Sequence, residues 1–319
     1  MIEKREDHKE PCCCFAPMEG ITGYLYRNVH NKYYNGIAAY YAPFITTTKN
    51  GVKKTKEIRD ILPENNQEIL LVPQLLTNQA EQYLEYEKVI ADLGYQEINL
   101  NFGCPSKTVV TKGRGAGFLQ DLWEMEQFFD QVFEKNQLAI SVKTRIGTDS
   151  PEEFADLMDV YRRYPLKNLI IHPRTQSDYY KNHPNLDAFR IGLEKSACPV
   201  CYNGDIRTVE DLEHLHQQFP QLEHVMIGRG LLTDPALAEK LETASAEGNI
   251  SSERFREFHD ELYSEYQSAF SGEKPVLFKM KELWVYWGEQ FPGEEKALKQ
   301  IRKAQRLADY ESAARYLLY

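Results

Sequence analysis

Cys104 stands in a run whose residue types point to chemistry: Glu97-Ile98-Asn99-Leu100-Asn101-Phe102-Gly103-Cys104-Pro105-Ser106-Lys107. The first half alternates, with Ile98 and Leu100 apolar between Glu97, Asn99 and Asn101, which is the period of a strand. The second half sets Gly103 and Pro105 on either side of the cysteine and reads as a turn. A cysteine in a turn at the carboxyl end of a strand projects from the scaffold. A lone free cysteine is ordinarily a small buried hydrophobe. Apolar packing, however, has no use for Asn101, Gly103, Pro105 and Lys107 beside it. A free thiol has a pKa of about 8.5, so at neutral pH it is mostly protonated and can donate.

Similar polar clusters close the other apolar runs of the chain. They are Ala16-Pro17-Met18, Gln74, Lys143 and Arg145, His172 and Arg174, Asn203-Gly204-Asp205, and Gly228-Arg229. Each alone has a bland reading as a solvated tip or a satisfied structural residue. With the Cys104 run they place hydrogen-bonding groups at the same end of seven strands.

The elements that must position them alternate strand and helix. Strands are expected at 12–15, 38–41, 70–72 (ending at Pro73-Gln74), the Cys104 strand, 139–142, 169–171, 199–202 and 225–227. Helices are expected at 23–32 behind a Thr22 cap, over 49–60, from an Asn78 cap to 93, over 121–135, after Ser150-Pro151, from Asn185, and over 208–219. Eight such units imply parallel crossovers and an α/β fold, the closed (β/α)8 TIM barrel. No Gly-rich dinucleotide fingerprint follows the first strand to favour an open sheet. The tract 242–252 is small and polar and reads as a linker. Beyond it the pattern is helical only, so a barrel over 1–243 is followed by a small all-α domain over 253–319.

In a barrel the groups after the last two strands commonly bind phosphate. Asn203-Gly204-Asp205 and Gly228-Arg229-Gly230 fit, since glycines let backbone N–H groups approach an anion and Arg229 adds a bidentate charge. Lys143, across the ring, suits a cofactor that becomes anionic on reduction, such as a flavin. Gln74 offers an amide to its pyrimidine edge.

Composition narrows the class. With 42% apolar and 27% charged residues, the chain can bury a core and stay in water. No apolar run approaches the roughly 18 residues of a membrane span. The charged residues 1–10 are not a secretory signal, so a cytoplasmic protein with no membrane partner is expected. Cys12, Cys13 and Cys14 are consecutive and cannot share one metal, because neighbours on a strand face opposite ways. Cys198 and Cys201 form a C-x-x-C with no second ligand pair, so no metal is expected.

The chain resembles the tRNA-dihydrouridine synthases. The motifs that carry the resemblance are Ala16-Pro17-Met18-Glu19-Gly20, Gln74, the run from Asn99 to Lys107, the 113–117 Gly-rich loop, Ser141-Val142-Lys143-Thr144-Arg145-Ile146-Gly147, His172-Pro173-Arg174-Thr175, Asn203-Gly204-Asp205-Ile206 and Met226-Ile227-Gly228-Arg229-Gly230. Lys107-Thr108-Val109 looks closest to the bacterial branch that includes the DusC type. The chain departs from the family at Gly23, usually acidic, at Pro173, usually glycine, and at Phe102, usually small or cysteine.

The resemblance implies an FMN-dependent oxidoreductase that reduces the C5–C6 double bond of uridines in tRNA, with NADPH as reductant. Hydride would pass from FMN to C6, and Cys104 would protonate C5. Ala16, Pro17 and Met18 would lie along the flavin. Gln74, Lys143 and His172 would bond it. Asn203, Gly204, Asp205, Gly228 and Arg229 would hold its phosphate. Asn101, Arg145 and Arg174 would face an extruded uridine. A monomer is expected. An FMN barrel acting on a small molecule, or a non-catalytic RNA-binding protein on the same fold, are the alternatives.

A net charge of −10 argues against nucleic acid when taken as a sum. Distribution matters more. Lys296, Lys299, Lys303 and Arg306 are spaced for one helix face, and Lys299 and Lys303 are expected to contact tRNA phosphate.

Overall fold

The computed structural model describes residues 11–52, 55–243 and 252–319. The charged tail expected at 1–10, and the linker from 244 to 251, lie outside the described residues.

Ten strand segments form one parallel sheet: β1 Cys12–Phe15, β2 Ile37–Tyr41, β3 Ile45–Thr46, β4 Leu71–Val72, β5 Gln74–Leu76, β6 Glu97–Phe102, β7 Ala139–Arg145, β8 Asn168–His172, β9 Val200–Tyr202 and β10 His224–Ile227. β4 and β5 are one strand broken at Pro73, which has no N–H for the ladder. Its carbonyl still accepts from Asn99 N at 2.9 Å. β2 and β3 are likewise one strand interrupted at 42–44. Because β4 pairs β2 while β5 pairs β3 and β6, the ten segments make eight strands closed into a ring. The third strand therefore runs on through Leu76, past the Pro73-Gln74 end expected from sequence.

Side chains alternate across this ring. On β6, Ile98, Leu100 and Phe102 face the surrounding helices, and Asn99 and Asn101 face inward. Phe102 meets Phe118, Phe128 and Phe129 edge-to-face with centroids 5.2–6.2 Å apart, so its departure from the family pattern is a matter of outer packing and lies outside the ring. Inside, Cys14, Ala16, Ala39, Tyr41, Val72, Ile170, Cys201 and Met226 form a separate apolar plug, the floor on which the polar strand ends stand. Cys13 packs in the outer core.

Helix ends show where local sequence suffices. Asp121, Asn185 and Thr208 cap their helices by accepting from Glu124 N, Ala188 N and Asp211 N. Two expected caps are different. Thr22 Oγ1 accepts from Met18 N at 2.9 Å, and the helix Tyr24–Tyr33 starts instead on Asp60, whose Oδ1 accepts from Tyr24 N at 2.7 Å. Asp60 also pairs with fully buried Arg27 at 2.8 Å and closes a helix, Lys56–Asp60, shorter than the one expected over 49–60. Gln79, not Asn78, precedes the helix Ala80–Asp92, because Asn78 Nδ2 turns to Lys112 O at 3.3 Å.

The C-terminal region has four helices, Ser252–Ala269, Glu273–Trp287, Glu295–Lys303 and Leu307–Leu318. Phe255 and Phe258 pack edge-to-face on Trp287, as does Trp284, and Phe258 also meets Tyr26 and Tyr33 of the first barrel helix and Tyr34 at its end. Lys279 Nζ donates to Gly20 O in the loop after β1. Helical region and barrel thus share one continuous apolar core. Lys296, Lys299 and Lys303 lie on one helix and line a shallow surface depression. Arg306 lies past the helix end and pairs with Asp309 at 2.9 Å, so it does not extend that face.

Candidate active site

β6 ends in the turn that holds Cys104. Asn101 Oδ1 accepts from Gly103 N at 3.1 Å and from Cys104 N at 2.9 Å. The cysteine carbonyl accepts from Ala116 N at 3.0 Å. Gly115 has φ +56°, and a Cβ there would stand 2.7 Å from Cys104 O, so the Gly-rich loop can pass this close only as glycine. Cys104 is half-buried. Burial pushes its thiol above the ordinary value, against the opposing pull of Ser106 N–H, Arg145 and Lys143.

Asn101 is the last member of a polar chain through the barrel interior. Lys167 pairs with Glu97 at 2.5 Å, and Ser141 Oγ donates to Glu97 at 2.6 Å. Asn99 donates to Ser141 at 2.9 Å and accepts from Gln74 Nε2 at 2.7 Å. Gln74 Oε1 accepts from Asn101 Nδ2 at 2.8 Å. These groups orient one another, so Asn101 presents its oxygen to the turn without freedom to flip. Gln74 is fully buried with its amide engaged at both atoms.

Lys143 and His172 stand on the next two strands. Lys143 makes no hydrogen bond or ion pair with any described residue. Burial, helped by Arg145, lowers its pKa to about 8. His172 is buried and held neutral first by desolvation, then by the charges of Arg145 and Lys143. Its Nδ1 lies 2.5 Å from Asn203 O, an acceptor, which assigns the proton to Nδ1. Nε2 is then a buried lone pair without a protein partner. Pro173 sits in a tight turn in which Arg174 N donates to His172 O at 2.7 Å, a turn whose central residue needs a φ that proline already has. Its lack of an N–H costs nothing there.

The last two strands end in a charged cluster. Arg174 and Arg229 both bond Asp205; the Arg229–Asp205 distance is 2.7 Å. Burial opposes ionisation of Asp205, but the two guanidinium groups outweigh it and hold the carboxyl below its usual range. Arg174 also donates to Asn182 O, so all three of its guanidinium nitrogens are engaged. Arg145 spends Nε on Gly103 O at 2.9 Å and Nη1 on Thr175 O at 2.7 Å. Asn203 Nδ2 donates to Met226 O. A Cβ at Gly204 would lie 2.1 Å from the Tyr202 hydroxyl, and one at Gly228 would lie 3.1 Å from Met18 Sδ and 3.4 Å from Ala16 Cβ. The Tyr202 ring leaves no room for a side chain at Gly204, while at Gly228 the Met18 side chain would have to give by a few tenths of an ångström.

The sequence reading missed Tyr180. It lies in the loop after β8, with Arg145 5.3 Å and Arg229 4.9 Å from its ring centroid and His172 at 6.0 Å. Half-exposed, it bridges the two arginines across the mouth of the ring. A polar loop with two adjacent tyrosines, Tyr179-Tyr180, was the only signal available. Cys198 packs with the outer core and Cys201 with the inner plug, so the C-x-x-C is split between two environments. Among the described residues no group of three or more potential ligands could hold a metal, and no helix is long and apolar enough to cross a membrane.

Eight parallel strands with helices outside, and polar groups gathered at one rim, define a (β/α)8 barrel with a C-terminal helical region. Solved structures share the fold. Histamine dehydrogenase from a Rhizobium species superposes with a TM-score of 0.56 at 9% identity, over 78% of this chain and 49% of that one. A morphinone reductase variant in complex with tetrahydroNAD gives 0.52 at 10%, over 73% and 87%. The profile of the dihydrouridine synthase (Dus) family matches residues 14–315. tRNA-dihydrouridine synthase B of Pasteurella multocida is 24% identical over 236 residues, 74% of this chain and 70% of the relative. A probable tRNA-dihydrouridine synthase of Staphylococcus epidermidis is 28% identical over 241 residues, 72% of each. The chain belongs to the dihydrouridine synthase family and is an oxidoreductase.

Proposed function

We propose that this protein is an FMN-dependent tRNA-dihydrouridine synthase that uses NADPH and protonates the substrate with Cys104. The observation that carries the reading is the Cys104 turn. A half-buried thiol with raised pKa is pinned by Asn101 at the same rim as a lysine without a protein partner and an orphaned histidine nitrogen.

The residues fit the cofactor. His172 Nε2 is an acceptor in want of a donor, which a flavin ring N–H supplies. Lys143 would supply a positive charge to a ring that becomes anionic on reduction. Ala16, Pro17 and Met18 would lie along one side of the ring, and Gln74, whose amide bonds Asn99 and Asn101, would close the wall. Arg229 with the bare backbone at Gly204 and Gly228 suits a phosphate, with Asn203 and Asp205 holding that end in place. When bound, FMN reduced by NADPH supplies the hydride that C6 of uracil receives.

The chain's own groups do the rest. Cys104 Sγ–H donates a proton toward C5, and burial keeps that proton on the thiol through neutral pH. Asn101 orients the turn from below, and Arg145 ties Gly103 to the loop that carries Tyr180. With Arg174 these residues border the space an extruded uridine enters. Lys299 and Lys303 face solvent and suit tRNA phosphate. The division into a barrel over 1–243 and a tRNA-binding helical domain over 253–319, acting as a monomer, belongs to the same reading.

Two results check this account. Purified protein is expected to be yellow, with flavin absorption bands and FMN released on denaturation; a colourless protein that takes up no FMN overturns the cofactor assignment. Asn101→Ala removes the acceptor for two backbone N–H groups, a loss worth about 1–3 kcal/mol. Turnover on tRNA is expected to fall about tenfold or more with flavin content retained. Unchanged turnover would remove Asn101 from the account.

A further inference from the structure

We infer that the rim beside Cys104 carries a site for a backbone phosphate of the RNA substrate, formed by Lys49, Lys112 and Arg114. The inference rests on the reading that the substrate is RNA, and it names a contact outside the helical region.

Three loops that leave the carboxyl ends of neighbouring strands meet here. Lys49 follows β3, Asn78 and Gln79 follow β5, and Lys112 and Arg114 follow β6. With Gln82 they line an open depression of about 310 Å3, and no carboxylate is among the lining residues. Arg114 is fixed on neutral oxygens: Nη1 donates to Thr47 O at 3.0 Å, Nη2 to Gln82 Oε1 at 3.3 Å and Nε to Asn78 Oδ1 at 3.4 Å. Its charge is therefore positioned and not neutralised. The ammonium groups of Lys49 and Lys112 are exposed and make no hydrogen bond or ion pair with any described residue. The helix Ala80–Asp92 begins in the lining with Gln79, whose side chain makes no cap; the acid of its first turn, Glu81, is not among the lining residues.

Three cations with no acid in the lining, beside the side-chain amides of Asn78, Gln79 and Gln82, select an oxyanion. An open rim with two exposed ammonium groups suits a diester on a long strand better than an enclosed small ligand. Its place is also telling. Ala116 N donates to Cys104 O, and Gly115 lies against Cys104, so the loop carrying Lys112 and Arg114 is seated on the thiol's own turn. A phosphate held here tethers the RNA next to the thiol, and it does so in a protein whose net charge of −10 would otherwise repel it.

The test compares wild-type protein with the double variant K49E/K112E, both full-length and flavin-loaded. tRNA dissociation constants are measured between about 50 and 200 mM salt. The variant is expected to bind at least tenfold more weakly at the lowest salt. Its log–log salt slope should be shallower by about 1 to 2. Flavin absorbance and melting temperature should match the wild type. Unchanged affinity and slope overturn the site. A raised Michaelis constant for NADPH with unchanged tRNA binding also overturns it and assigns the cations to a dinucleotide's phosphates. A wild type that binds no tRNA overturns the functional reading together with the site, and is told apart because the site alone fails only when the wild type binds.

Discussion

Cys104→Ala is expected to lower dihydrouridine formation by about 10²- to 10⁴-fold, the range in which a positioned general acid contributes. Alanine keeps the turn, because the contacts that shape it are made by backbone: Cys104 N to Asn101 Oδ1 and Ala116 N to Cys104 O. Flavin content and oxidation of NADPH by oxygen should therefore survive. The pH dependence carries the sign. The acid works while protonated, and burial raises the pKa of this thiol. The limb that Cys104 contributes to the wild-type profile should then lie above neutrality, at a pH above the ordinary thiol range. A variant that reduces tRNA at nearly the wild-type rate would show that C5 takes its proton from elsewhere.

Lys143→Met should be comparably damaging, about 10²-fold in turnover, the scale on which loss of one preorganised charge is felt. Methionine fills similar space and removes only the charge. Burial and Arg145 lower the pKa of this lysine to about 8, so its cation is lost as pH rises through that value. In wild type this limb should lie at about pH 8 or above, since an anionic neighbour favours the charged form. In the variant it should vanish from the pH–rate profile, leaving only the Cys104 limb. A variant whose profile retains the lower limb would assign it to another group.

Much of this molecule was legible in the chain. Period-two patterning with polar strand ends gave the eight-stranded ring and put Gln74, Asn101, Cys104, Lys143, His172 and Arg229 at one rim. What local reasoning could not reach depends on residues far apart in sequence. The helix Tyr24–Tyr33 starts on Asp60, 36 residues away, because buried Arg27 holds that carboxylate in place. The third strand passes Pro73 because the carbonyl of proline still serves the neighbouring strand. Most donors of Arg174 and Arg145 bond Asp205, Asn182, Gly103 and Thr175, contacts that no spacing rule anticipates. Tyr180 was missed for the same reason: its place over two arginines comes from how a loop folds back.

The measurement that bears most directly on the central claim is dihydrouridine in tRNA. tRNA from a strain lacking the gene is incubated with purified protein, FMN and NADPH, and then mapped by mass spectrometry. The account predicts a gain of two mass units at defined uridines with wild-type protein and none with Cys104→Ala. Unmodified tRNA, with a yellow protein that reduces free enones or pyrimidines instead, would contradict it and make this barrel a small-molecule reductase.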